Sequence, residues 1–334
     1  TNGKKYGESH TSMSKIIYLL TLSITVNWLN NMPNLTPTSK PKKLDKSTAY
    51  EVRPEQSVDL LKALHILTTD GKINQDSRRK LKQINHLFNF IKPLLDDVLA
   101  QKNHICMVDH GAGKSYLGFL MYDLYFKPLE LTAEQAMIYG IETRDDLVTR
   151  SQELAHKAQF TGMKFLNLSV ADSIQSKLLP ESVDIVTALH ACNTATDDAI
   201  AFALAKNATH VVLVPCCQAE VASVLRANKS QQLPNPLTEI WRHPIHTREF
   251  GSHLTNVLRC LQLQAHGYDV SVTELVGWEH SMKNELIVAS RKYRADGQIQ
   301  YNRNAAQRLN ELLNTLGLNA LSTRFFTPSL SAGV

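Results

Sequence analysis

The chain lacks most of the features that would assign it at a glance. Its five cysteines are an odd number scattered over 334 residues, two of them adjacent at 216 and 217. That argues against a disulfide framework and for reduced thiols in a cytoplasmic protein. Long apolar runs are also missing. Ile16 to Leu29 is interrupted by Thr21, Ser23, Thr25 and Asn27, and it falls short of the roughly 20 residues needed to cross a bilayer. Lys4, Lys5 and Lys15 precede it as in a signal peptide, but no small-x-small cleavage site follows. No membrane partner is expected. Net charge is modest, +5 with a pI near 8.8, which admits a polyanionic partner without demanding one. Aromatic residues make up 7% and rarely interleave with cations, so base stacking is not expected. Two nucleotide signatures are incomplete. A P-loop ending at Gly113-Lys114-Ser115 requires glycine where Val108 stands, and a dinucleotide fingerprint requires glycine where Tyr116 stands.

What is present is organised around Asp109 to Tyr116. The apolar run His104 to Val108 leads into Asp-His-Gly-Ala-Gly-Lys-Ser-Tyr and then Leu117 to Met121, the pattern of a strand, a glycine turn and a helix. Glycine at 111 and 113 lets a ligand approach the backbone, and the helix start offers unpaired N–H groups. The acid at 109 suits a cationic or hydroxyl-bearing ligand better than a phosphate.

Around this turn the chain alternates strands and helices. Strands are expected at Met137–Ile141, Lys164–Leu168, Val183–Leu189 and His210–Val214, with a closing hairpin-like pair at Val270–Val276 and Leu286–Ser290. The fold class is α/β: a doubly wound, seven-stranded, mostly parallel sheet. Ahead of it, helical patterns over Gln56–Leu67 and Asp76–Ala100 predict an N-terminal helical cap. The expected organisation is a peripheral segment over 1–50, the cap over 51–101, the sheet domain over 102–292 and a C-terminal helical extension over 293–334. A polar, proline-bearing insertion at 230–251, holding Trp241, Arg242, His243, His246 and Arg248, reads as a substrate loop.

Functional residues of such a sheet belong at the carboxyl ends of its strands. Asp109, Glu142 and Asp172 fall at or just after the first three strand ends. A carboxylate at 142 can accept both hydroxyls of a ribose, and Asp172 lies where an adenine amino group is expected.

Three motifs in order, Asp109 to Leu117, Leu189 to Asp197 (Leu-His-Ala-Cys-Asn-Thr-Ala-Thr-Asp) and Pro215-Cys216-Cys217, resemble a branch of the class I methyltransferases that use S-adenosylmethionine. The resemblance covers about residues 76 to 292. It implies a Rossmann-like seven-stranded sheet with the last strand antiparallel. It also implies S-adenosylmethionine as cofactor, bound by Asp109, Gly111, Gly113, Glu142 and Asp172, and Lys114 and His190 join these as candidate contacts. No metal is expected.

Methyl transfer needs an aligned acceptor and a group to take its proton. The loops after the fourth, fifth and sixth strands bring His190 and Cys192, then Cys216 and Cys217, then His280 toward one edge. Three readings stand open: His190 or His280 as base or positioning group, Cys192 or Cys216 as covalent nucleophile, and Cys192, Cys216, Cys217 with a histidine as a metal site. Ordinary packing accounts for any single cysteine. Arg78, Arg79, Lys80 and Lys82, with Arg291, Lys292, Arg294, Arg303 and Arg308, supply a basic rim for RNA as the leading acceptor. Alternatives are a small-molecule or protein acceptor, or a non-catalytic module that binds the cofactor.

Overall fold

The computed structural model describes residues 52–189, 191, 193–216, 218–228, 239–240, 242–275 and 285–329. The peripheral segment expected over 1–50 lies outside them. Among the described residues no helix is long and apolar enough to cross a membrane.

Helix α1 (Val58–Ala63) begins where the Ser57 hydroxyl accepts from the Leu60 N–H at 3.3 Å. Helix α2 (Gln75–Gln101) starts at Asn74, whose Oδ1 accepts from the Ser77 N–H at 2.8 Å and so satisfies a donor that the helix cannot. Its expected stripe is buried through Leu81, Ile84, Leu87, Phe88, Ile91, Leu95 and Val98, while Leu94 is only partly covered. These side chains share one apolar cluster with Ile105, Met107, Phe119 and Ile138. At about 1.5–3 kcal/mol for each fully buried large apolar side chain, this packing holds the N-terminal helices firmly on the sheet.

The sheet has seven strands: β1 (Ile105–His110), β2 (Ala136–Glu142), β3 (Met163–Asn167), β4 (Ile185–Leu189), β5 (His210–Val214), β6 (Tyr268–Glu274) and β7 (Glu285–Arg291), in the order β3-β2-β1-β4-β5-β7-β6. β7 pairs antiparallel with both neighbours, and the pairings among β1 to β5 are parallel. The seven-stranded expectation therefore holds. One boundary moves in a way that matters: β1 runs two residues past Val108. Asp109 pairs with Gly140 and Thr187, and His110 with Ile141, so both belong to the strand and not to the turn.

Helix α3 (Tyr116–Met121) follows the glycine turn, and α4 (Asp145–Lys157), α5 (Val170–Gln175), α6 (Ala195–Ala205) and α7 (Glu220–Ala227) follow successive strands. The expected loop at 230–251 is corrected in its second half. Helix α8 (Pro244–Ala265) starts at Pro244 instead of Ser252, because proline at the first helical position has its φ preset and no N–H to leave unpaired. A Cβ at Gly251 would stand 2.8 Å from the backbone nitrogen of Ala222, so that stretch is a close contact between α8 and α7. His246 and Arg248 ride on the helix's exposed face, and Trp241 lies outside the described residues. Helix α9 (Arg303–Thr315) packs its buried Ala305, Leu309 and Leu313 with Leu254 and Leu258 of α8.

Helix α2 runs antiparallel to the sheet. Its carboxyl-terminal Asp97 lies 3.3 Å from His210, the first residue of β5. A helix of 27 residues is about 40 Å long, against roughly 20 Å for the longest strands. Its cationic first turns therefore extend toward and past the carboxyl edge.

Candidate functional site

β1 has β2 on one side and β4 on the other, so the strand order reverses at β1, where open α/β sheets form their ligand crevice. The turn leaving β1 is built from left-handed residues, Gly111 at φ +63, Gly113 at +57 and Ser115 at +51. Only glycine accepts such angles without strain. Around Gly113 the space is open, the nearest atom to an added Cβ being the Gly111 carbonyl at 4.0 Å. Ser115 Oγ is buried, with no hydrogen-bond partner among the described residues.

Glu142, at the end of β2, reaches back to this turn. Its Oε2 accepts from the Gly113 N–H at 2.8 Å, and its Oε1 accepts from the Arg144 N–H at 3.0 Å and the Thr143 hydroxyl at 3.3 Å. Burial opposes the charge, but the two backbone donors outweigh it and hold the carboxyl below its ordinary range. Three of about four acceptor positions are engaged. To receive both hydroxyls of a ribose, the long Thr143 contact must yield. Asp172 sits in the first turn of α5, exposed, and its carboxylate accepts from the Ser169 hydroxyl at 2.6 Å while its own N–H donates to Ser169 Oγ at 3.0 Å. Lys114 lines a cavity of about 360 Å³ with His65 and with Arg150 and Lys157 of α4.

Asp109 is 2% exposed, and its Oδ1 accepts from the Thr187 hydroxyl at 2.7 Å, bridging β1 to β4. Burial pushes its carboxyl up to about 7, with the Thr187 hydroxyl pulling the other way. His110 is fully buried, edge-on to Phe202 of α6 at 4.5 Å between ring centroids, and both ring nitrogens lack a hydrogen-bond partner among the described residues. Burial alone drives its imidazole down to about 3. The two effects have opposite signs in stability. The carboxyl keeps its proton in the fold while the unfolded chain has lost it, so its contribution falls as pH rises from about 4 to 7. The imidazole stays neutral in the fold while the unfolded chain takes a proton, so its contribution falls as pH drops from about 6.5 to 3. The two slopes offset each other over most of that range. His110→Phe keeps the ring contact and removes one slope. Its denaturation midpoint should rise relative to wild type as pH is lowered from 7 to 5, and parallel midpoints would show that the imidazole is not held neutral.

Of the remaining candidates, Cys216 is half-buried beyond the end of β5. His190, Cys192 and His280 lie outside the described residues, as does Cys217, on which the metal reading also rests. Cys106 and Cys260 are inert by environment, burial pushing each thiol up to about 12.

A polar network behind the loops after β4 and β5 escaped the sequence reading. Arg259 of α8 is 0% exposed. Its Nε and Nη2 donate to the two carboxylate oxygens of Asp197 at 2.6 and 2.9 Å. Nη2 also donates to the Asn193 carbonyl at 3.1 Å, and Nη1 to Asn256 Oδ1 at 3.1 Å. From there the Asn256 amide donates to Glu285 at the start of β7. Gln218 Nε2 donates to the Ser252 carbonyl at 3.0 Å, and the Ala219 N–H donates to Asn193 Oδ1 at 3.2 Å. One guanidinium thus ties Asn193 after β4 to α8 and, through Asn193 and Asn256, to Gln218 and Ala219 after β5. The available signal was that Arg259 is the one Lys, Arg, Asp or Glu between Ser252 and Gln264.

The two basic segments separate. The start of α2 lies at the carboxyl edge, where Lys80 is held charged chiefly by Asp76 at 2.9 Å, with the Tyr116 phenol close enough to add to it. Beside it a cleft of about 430 Å³ is lined by Arg53, Lys82, His86, Asn89 and, at the end of β6, Glu274. The C-terminal cations gather at the opposite, amino edge. Arg291 is not part of any rim. It is buried, donates to the Ala208 carbonyl at 3.2 Å and to the Tyr268 hydroxyl, and stacks over the Tyr268 ring.

Residues 79–224 match the family model described as a methyltransferase domain. No curated protein matches the chain. Among solved structures, a putative caffeoyl-CoA O-methyltransferase from Staphylococcus aureus is similar at 6% identity, with 74% of this chain and 96% of that one covered and a TM-score of 0.42. Magnesium protoporphyrin IX methyltransferase from Synechocystis PCC 6803, with bound S-adenosylmethionine, has 13% identity, coverage of 76% and 100%, and a TM-score of 0.39. An rRNA methylase from Streptococcus thermophilus has 8% identity, coverage of 58% and 92%, and a TM-score of 0.36. Likenesses this distant say nothing about the acceptor.

Proposed function

We propose that this methyltransferase, whose cofactor is S-adenosylmethionine, transfers its methyl group to RNA. The observation that carries the acceptor class is the overshoot of α2. A helix longer than the strands brings Arg79, Lys80 and Lys82 to the carboxyl edge beside Tyr116, and the adjoining cleft adds Arg53 and His86. Cations grouped at the edge that holds the cofactor turn suit a polyanion more than a small neutral acceptor.

The residues present suit the cofactor. The open left-handed turn at Gly111 and Gly113 admits an adenosine against the backbone. In our reading Glu142 takes the ribose hydroxyls, Asp109 supplies negative potential beneath a cationic ligand, and Asp172 borders the adenine. Bound S-adenosylmethionine supplies an electrophilic methyl group. The chain's own work is then to orient the acceptor and take its proton. For that role we keep His190, Cys192, Cys216 and His280 as candidates; the first three are close in sequence to Asn193, Gln218 and Ala219, which the Arg259 network holds.

Mass spectrometry of RNA nucleosides from cells with and without the gene tests the acceptor. One methylated nucleoside should disappear with the gene, return with the wild-type copy and stay absent with a Glu142→Ala copy. An unchanged nucleoside profile transfers the proposal to a small-molecule or protein acceptor.

A further inference from the structure

We propose that the cleft at the amino edge of the sheet anchors single-stranded RNA at a distance from the reacting centre. This rests on the RNA reading above and adds a second, separate contact. The cleft, about 560 Å³, is lined by Lys292, Arg294, Arg303 and Arg308, with the Tyr301 ring and the amides Gln264 and Gln300 among them. Asp269 is the one acid in its lining, and it is engaged by Lys292 at 3.2 Å. The guanidinium groups of Arg294 and Arg303 have no hydrogen-bond or ion-pair partner among the described residues, and both side chains are exposed. Such planar forks match phosphate oxygens in pairs.

The aromatic component that looked sparse along the sequence is supplied by folding. Tyr301 is 40% exposed in the cleft, and Tyr293, outside its lining but adjacent in sequence to Lys292 and Arg294, is 50% exposed. The Tyr293–Ile299 bridge holds the two ends of that hairpin together. Tyrosine faces beside unpaired guanidiniums fit a strand whose bases are free to stack. The polar lining suits a phosphate chain more than an apolar ligand.

Position gives the cleft its use. The edge strand β6 begins in it at Tyr268 and Asp269 and ends at Glu274 in the carboxyl-edge cleft. Seven residues of strand separate the two by about 20 Å. A flexible chain several nucleotides long can occupy both.

Fluorescence anisotropy of a fluorescein-labelled oligouridine with the full chain, repeated over a salt series, tests this. Arg294→Gln with Arg303→Gln should weaken binding and flatten the log–log salt slope by about 1.4, at about 0.7 per lost phosphate contact on a single strand. Tyr301→Ala should weaken oligouridine about tenfold and leave the slope alone. Inorganic polyphosphate should lose affinity with the arginine variants and not with Tyr301→Ala. Melting temperatures should not move, since all three side chains are exposed. If wild type binds oligouridine and the cleft variants bind it equally, with the same slope, the cleft is not an anchor and the RNA reading survives. If wild type does not bind oligouridine, both fall. If polyglutamate displaces the probe as well as RNA does and Tyr301→Ala changes nothing, the cleft takes an acidic protein and the proposal is wrong.

Discussion

Arg259→Met should destabilise the protein by about 3–5 kcal/mol, the usual cost of breaking a buried ion pair from one side. Asp197 is 4% exposed at the side chain and accepts from two of the three guanidinium nitrogens. Methionine fills much of the space but leaves that carboxylate charged, dry and unpaired. It also takes a donor from the Asn193 carbonyl and leaves Asn256 Oδ1 with only the Gln218 amide at 3.3 Å. A loss of this size is a large fraction of the 5–15 kcal/mol that holds a typical domain together, so the single variant should be visibly unstable in urea. The double variant Arg259→Met with Asp197→Leu removes both charges and should regain much of the loss, because an apolar pair is often as stable as the ion pair it replaces. It should not regain methyl transfer, since Asn193 and, through Asn256, Gln218 lose their common tie. Failure of the double variant to recover in urea would show that the two side chains are not energetically coupled. Recovery of transfer along with stability would show that the pair is a core feature with no positioning role.

Asp109→Asn is expected to do the reverse, stabilising the unliganded protein while weakening its hold on S-adenosylmethionine. The amide oxygen can still accept from Thr187, so the bridge between β1 and β4 survives. What disappears is a carboxyl that burial pushes up to about 7. From about pH 4 to 7 the unfolded chain has given up this proton and the fold retains it, so the wild type loses stability across that window. The loss stands in full above pH 7, on the order of 4 kcal/mol. Denaturation midpoints of variant and wild type should coincide near pH 4 and diverge by pH 8, with the variant higher. Calorimetry at pH 8 should show at least a tenfold loss of affinity for S-adenosylmethionine. A buried, strained acid at a ligand crevice suits a group retained for binding at some expense of stability. Equal midpoints at pH 8 would refute the burial argument, and unchanged affinity would remove Asp109 from the site.

The parts legible along the chain were those governed by local periodicity. The strands, the glycine turn and the stripe on α2 follow from local pattern, because strands buried on both faces such as β1 and β5 read as short apolar runs and the helix stripe repeats near 3.6 residues. Helix α5 escaped notice because its six residues, Val170 to Gln175, are too short for a period. The early start of α8 was obscured by Pro244, which reads as a loop residue unless its place at a helix start is recognised.

By itself, then, the sequence determined the α/β class, the glycine turn that follows β1, and the acids at or beyond successive strand ends, since each is a property of a few neighbouring residues. Tertiary structure alone decided which charges act together. It sent Arg291 into the core, Lys114 to a cavity beside α4, and the two basic segments to opposite edges of the sheet. It also joined Arg259 to Asp197 across 62 positions. Hydrophobic patterning says which face is buried, but the partner of a buried charge is chosen by what the topology brings within about 3 Å of it, and that distance is not written in the spacing of residues along the chain.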